Sequence, residues 1–252
     1  MMKRFIRVVR LLRLLKLLVL LCVVTVLLSA LSLKTTEAKA TTSKVSQNRF
    51  SSASCQWSVV PSPNGSSSSN LSGVAAVSAN DVWAVGSSGN QRSGAQTLIE
   101  HWNGSSWSVV ASPSPGSGGD LRAVAAVSAD NVWAVGYYLS NSSSIQTLVE
   151  RWNGTSWQVV KSANIGTSPS FNAVAAVSAN DVWAVGSYHN PNSNEFFQTL
   201  TERWNGTKWS IVKSPSPGSF STQLLGVAAI SANNVWSVGV ADGNTLTEHY
   251  HC

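Results

Sequence analysis

The stretch Val82-Trp83-Ala84-Val85-Gly86, introduced by Ser78-Ala79-Asn80-Asp81, occurs four times in this chain. It returns at 132–136 and 182–186, and with small changes at 235–239. Its tryptophan stands at Trp83, Trp133, Trp183 and Trp236, so the spacings are 50, 50 and 53 residues. Such a period is the mark of a repeat architecture, in which one unit cannot bury its apolar face alone and stacking neighbours make the core.

A full unit is clearest at 74–110. Val74 to Val77 is a short apolar run, and Ser78 to Asp81 carries turn chemistry. Val82 to Gly86 alternates, with Trp83 and Val85 on one face. A polar stretch, Ser87 to Gln96, leads to a third run, Thr97 to Trp102. Asn103-Gly104-Ser105-Ser106 is a hairpin signal before a fourth run, Trp107 to Val110. Four short strands joined by tight turns make one antiparallel propeller blade. Further blades are expected at 124–160 and 174–212. The last is expected at 227–252, lacking its fourth strand.

That strand is found at the other end. Gln56-Trp57-Ser58-Val59-Val60 matches Ser106-Trp107-Ser108-Val109-Val110. The expected fold is therefore all-β: a four-bladed β-propeller of four-stranded antiparallel blades over 55–252, closed by its N-terminal strand. Aligned on the repeat, Cys55 and Cys252 take neighbouring places in the hairpin turn that the two ends would share. A Cys55–Cys252 disulfide is expected, which an exported protein could keep. Two unbonded thiols near the termini are the alternative. Because the ends pair within one chain, a monomer is expected, with a dimerising half-propeller of eight blades as the competing architecture.

Export is expected from the N-terminus. Lys3, Arg4, Arg7, Arg10, Arg13 and Lys16 precede an apolar run from Leu17 to Leu33, followed by Ala38-Lys39-Ala40. That pattern describes a secretory signal over 1–40, or an uncleaved membrane anchor through the same residues. Residues 41–54 read as a flexible linker. The formal charge of +6 belongs to this leader: from Thr41 on, nine Lys and Arg face ten Asp and Glu, a net of −1. Basicity therefore gives no case for nucleic-acid binding.

The units resemble secreted bacterial β-propeller repeats carrying D-V-W-A-V-G followed by T-L-x-E-x-W-N-G-x-x-W. They are broadly similar to kelch and galactose-oxidase-like propellers. The resemblance covers about 55–252 and implies the fold, but no reaction.

Chemistry is harder to find. All eleven Trp are repeat-equivalent, which suits packing between blades. Glu100, Glu150, Glu202 and Glu248 also recur, each followed by His or Arg, and read as a repeated hydrogen bond or ion pair. Asp81, Asp130 and Asp181 read as turn-capping residues. No H-x-x-x-H, C-x-x-C or G-x-S-x-G is present, so no catalytic residue, metal site or cofactor is expected. The links from second to third strand vary between repeats, as do the links between blades, and both emerge on one face. That face carries Arg92, Tyr137, Tyr138, Tyr188, His189, Phe196 and Phe197 among many Asn and Ser. Rings beside amides suit a sugar or peptide. The function expected from sequence is a non-enzymatic exported binding module for a glycan or protein at the cell envelope. The alternatives are a polysaccharide-active enzyme and a purely structural surface protein.

Overall fold

A computed structural model of the chain describes residues 55–66, 68–90, 94–193 and 196–252. The leader 1–40, the linker from 41 to 54 and Arg92 lie outside the described residues. Among those described, no helix is long and apolar enough to cross a membrane. The chain divides into two units, Met1–Trp57 and Ser58–Cys252. Among the described residues, every strand belongs to the second unit.

That unit is built of four antiparallel sheets in chain order. The first holds β1 (Ser69–Ser78), β2 (Asp81–Asn90), β3 (Gly94–Trp102) and β4 (Trp107–Val109). The second holds β5 (Gly118–Ser128), β6 (Asn131–Leu139), β7 (Ile145–Trp152) and β8 (Trp157–Val159). The third holds β9 (Thr167–Ser178), β10 (Asp181–His189), β11 (Gln198–Trp204) and β12 (Trp209–Ile211). The fourth has only β13 (Thr222–Ser231), β14 (Asn234–Ala241) and β15 (Asn244–His251). Each is a simple meander, as in a propeller blade. The first strands pack in series, β1 on β5, β5 on β9 and β9 on β13, so they are the inner strands.

Two sequence signals explain each blade's local geometry. The glycine closing the repeated stretch sits where the inner strand bulges against it. A Cβ on Gly136 would lie 1.9 Å from the Asp120 carbonyl oxygen, and one on Gly86 would lie 1.9 Å from that of Asn70. The Asn-Gly hairpin works through the Asn side chain. Asn153 Oδ1 accepts the Thr155 and Ser156 N–H groups at 3.0 and 2.9 Å, while Gly154 takes φ 91°. The turn sets Trp152 opposite Trp157, and Trp102 opposite Trp107.

The core lies between blades. Trp83 of blade 1 meets Trp152 and Trp157 of blade 2, with centroids 4.9 and 5.3 Å away. Trp133 of blade 2 meets Trp204 and Trp209 of blade 3 at 5.1 and 5.5 Å. Each such tryptophan is also covered within its own sheet. Arg151 lies over Trp133 at 5.1 Å and His101 against Trp83 at 4.3 Å.

Several expectations need correction. Gln56 to Val60 form no strand. Trp57 and Val59 are fully exposed, and the fourth sheet ends at β15. The ring is not closed: among the described residues, blade 1 packs on blade 2 but makes no substantial packing with blade 4. No Cys55–Cys252 disulfide is formed, and both residues are exposed. The polar stretch after the repeated glycine is not a loop in blade 1, because β2 runs on to Asn90. Strand pairing uses backbone groups, which Ser87, Ser88, Gly89 and Asn90 supply as well as apolar residues do.

Candidate functional site

Extending the strands past the repeated glycine carries several predicted loop residues onto the sheets themselves. Tyr137 and Tyr138 lie near the end of β6, just before Leu139, and Tyr188 and His189 end β10. Alternation then separates neighbours. Tyr138 and Tyr188 pack against the inter-blade cores, and Tyr188 also donates its hydroxyl to Gln198 Oε1 at 2.8 Å. Tyr137 faces a cleft of about 260 Å³ together with Arg122, Ile145, Ser187, Phe197 and Gln223. Three inner strands contribute to its walls, since Arg122 is on β5, Ser168 and Ser170 are on β9 and Gln223 is on β13.

Arg122 organises this cleft. Its Nη1 donates to Asn172 Oδ1 at 2.6 Å and to Ser170 Oγ at 3.4 Å. Its Nε is 3.9 Å from Asp120 Oδ2, and its guanidinium carbon lies 4.8 Å from the Tyr137 ring centroid. Asp120 and Tyr137 are register partners on β5 and β6. Asp120 Oδ1 is buried without a protein hydrogen-bond partner. Asn172 in turn donates to the Leu224 carbonyl at 2.8 Å, tying β9 to β13.

Beside the cleft runs a line of rings. Phe196 meets Phe197 edge-on at 4.7 Å, His189 at 5.7 Å, and Phe220 at 6.0 Å with planes 9° apart. Phe196 and Phe220 are exposed. Backbone bonds hold the two segments together, the Phe196 N–H to the Phe220 carbonyl and the Thr222 N–H to that of Phe197. Asp242 fixes the 219–221 loop by accepting the Ser219, Phe220 and Ser221 N–H groups at 2.6, 3.0 and 2.8 Å. Those bonds stabilise the anion and hold its carboxyl well below the usual carboxylate range.

The structure therefore brings Tyr137, His189, Phe196 and Phe197 to one region and sends Tyr138 and Tyr188 into packing. Sequence reasoning missed Arg122, Asp120 and Phe220. Phe220 lies in a variable inter-blade link, which was the available signal. Nothing in sequence points to the grouping of Arg122 with Asp120 and Tyr137, because it depends on how inner strands of adjacent blades meet.

The four recurring glutamates are structural. Glu100, Glu150 and Glu202 are buried. Glu202 accepts the Ala163 N–H at 3.0 Å and the Ser162 hydroxyl at 3.4 Å, so it grips the link arriving from the preceding blade. Burial raises the pKa of all four, Glu150 to about 8 and Glu248 to about 7; the Ser112 and Ser237 hydroxyls oppose this only in part. The ion pairs expected of the Glu and its neighbour go elsewhere. Arg203 donates to Asp181 at 2.7 Å, His101 pairs with Asp81 at 2.8 Å, and Arg151 donates to Asn131 at 3.2 Å.

No known protein family matches the sequence, and no curated protein matches it either. Solved structures of similar fold include YCF48 bound to D1 peptide, at 11% identity and a TM-score of 0.40 over 71% of this chain and 64% of that one. A GH93 α-L-arabinofuranosidase of Fusarium graminearum in complex with arabinobiose is 13% identical, with a TM-score of 0.47 over 67% and 55%. Fructan 1-exohydrolase IIa of Cichorium intybus in complex with 1-kestose is 6% identical, with a TM-score of 0.46 over 71% and 41%. The chain thus spans between 41 and 64% of the length of these proteins, and the likeness is one of fold. It corrects one expectation. Two of these proteins are glycosidases, and the reading of the chain as a binding module without enzymatic activity is not taken further.

Proposed function

We propose that the domain is a carbohydrate-active enzyme that cleaves linkages in an extracytoplasmic polysaccharide, exported by the basic and apolar leader. The supporting observation is the meeting of Arg122 and Tyr137 in one cleft, with Asp120 against Arg122 behind them and the line of Phe196, Phe197 and Phe220 beside it. Aromatic faces suit the apolar faces of sugar rings, while Arg122 and the Gln223 amide suit their oxygens. Asp120 and the Tyr137 phenol are the groups against Arg122 able to hold or pass a proton. In this reading Arg122 positions a substrate oxygen, Asp120 and Tyr137 handle the proton, and the phenylalanines seat the neighbouring sugars.

Incubation with a panel of plant and microbial polysaccharides, read as new reducing ends, tests this. Wild type should release them from at least one polymer. Asp120→Asn should lower the rate by about 100-fold or more, the usual scale for losing a positioned proton-transfer group. Silence across the panel would end the enzymatic reading, and an unimpaired Asp120→Asn variant would move the reaction elsewhere.

A further inference from the structure

At the first two inner junctions, one blade offers a tryptophan and the next offers a pair of rings that clasps it. The clasping pairs are Trp152 with Trp157, 6.0 Å apart, and Trp204 with Trp209, 6.2 Å apart. Blade 1 carries the same pair, Trp102 and Trp107, 5.9 Å apart, and among the described residues no blade offers it a tryptophan. Blade 4 carries the same single tryptophan, Trp236, and among the described residues no further blade packs on it. Trp236 is 45% exposed, whereas Trp83, Trp133 and Trp183 are exposed by 2% or less. Val238 is 48% exposed, against 1% or less for Val85, Val135 and Val185. On blade 1, Val74 is 68% exposed where Val124 and Val174 are 8 and 9%, and Leu71 is 45% exposed where Leu121 and Phe171 are 0%. The two end faces are thus the two halves of the junction the chain already makes inside itself. They do not pack on each other within one chain.

We propose that a second copy of this chain covers them, its blade 1 seated on blade 4 of the first and its blade 4 on the first copy's blade 1. Two head-to-tail contacts related by a two-fold axis close a ring of eight blades, twice the four sheets of one chain and within the range propellers adopt. The sequence suggested a monomer instead. A second observation supports the same occupant. Among the described residues the outer edge of β15 is unpaired, and beside it lies a cleft of about 420 Å³ walled by Trp183, Val212, Val235, Leu246, Glu248 and Tyr250. At the two preceding junctions an outer strand fills the equivalent place, with Trp157 and Trp209 against Trp83 and Trp133. From the next blade, among the described residues, Trp183 meets one ring, that of Tyr250 at 4.7 Å. The missing strand arrives with the second copy. Its Ser58 to Val60, now exposed, precede β1 as β4 precedes β5, and so reach the edge of whichever blade adjoins blade 1.

Sedimentation velocity of the purified chain, with detergent where the apolar leader is retained, tests the proposal. Wild type should sediment as a species of twice the chain mass across about 1–100 µM. Trp236→Glu and Trp102→Glu, on opposite end faces, should each sediment as a monomer with an unchanged far-ultraviolet spectrum. Mixing the two variants should restore a dimer, because one of its two junctions then joins unaltered faces. Val238→Asp and Val74→Asp provide the same test should either tryptophan variant fail to fold. A monomeric wild type overturns the proposal, since it points to closure within one chain or to none. Dimers that survive Trp102→Glu overturn it too, since they would join like faces.

Discussion

Trp133 shows how one residue holds two blades. One side of its ring system is covered by Arg151, 5.1 Å away on the same sheet, and Trp204 and Trp209 of the next blade close over it. Each such aromatic pair adds about 0.5–1.5 kcal/mol beyond the area it buries. Around these rings sit carboxyl groups whose protonated form burial favours. Glu150 titrates near 8 in the folded chain, above its ordinary 4.5. Between those values the folded state binds a proton that the unfolded state has released, so stability present below pH 4.5 is lost as pH rises toward 8. Glu100, Glu202 and Glu248 are shifted the same way. Urea unfolding at pH 5 and pH 8 should show the midpoint falling, and Glu150→Gln should reduce that fall; an unchanged pH dependence would refute the assignment. Gly136 is a second residue with no substitute. A Cβ there would meet the Asp120 carbonyl at 1.9 Å, so Gly136→Ala should cost about 1–3 kcal/mol in the same assay, as overpacking does. A loss under about 0.5 kcal/mol would mean the bulge relaxes freely, within the range of ordinary surface changes.

At the scale of the strand and turn, much is legible because the causes are local. The Asn-Gly turn, the opposed Trp pair and the place of the bulge each depend on a few consecutive residues. Asn153→Ala removes the acceptor for two N–H groups and should lower stability by about 1 kcal/mol, the usual net worth of such bonds. Thermal melts would show it, and an unshifted melt would place the turn's specification in Gly154 alone. Strand ends are less legible. Ser87 and Ser187 read as link residues, yet both are buried within strands, because an inner strand alongside supplies their pairing. Tyr137 faces the cleft while Tyr138 packs in the core, a difference that only the extended register reveals. Arg122 carries no local signal, because its partners Ser170 and Asn172 lie about one repeat away.

For the molecule as a whole, repetition gives the number of blades but not how the series ends. Identity between Trp57-Ser58-Val59 and Trp107-Ser108-Val109 says what kind of strand the segment makes. It does not say whose sheet that strand joins, because every blade offers the same edge. The arrangement of the inner strands settles only that each blade meets its sequence neighbour. The two exposed end faces, and the open edge of β15, are the consequence. The most direct measurement is a crystal structure of the purified protein, counting blades around one axis and tracing which chain supplies each. Eight blades from two chains, with Trp236 of one chain clasped by Trp102 and Trp107 of the other, is the expected result. A four-bladed ring closed within a single chain would contradict it.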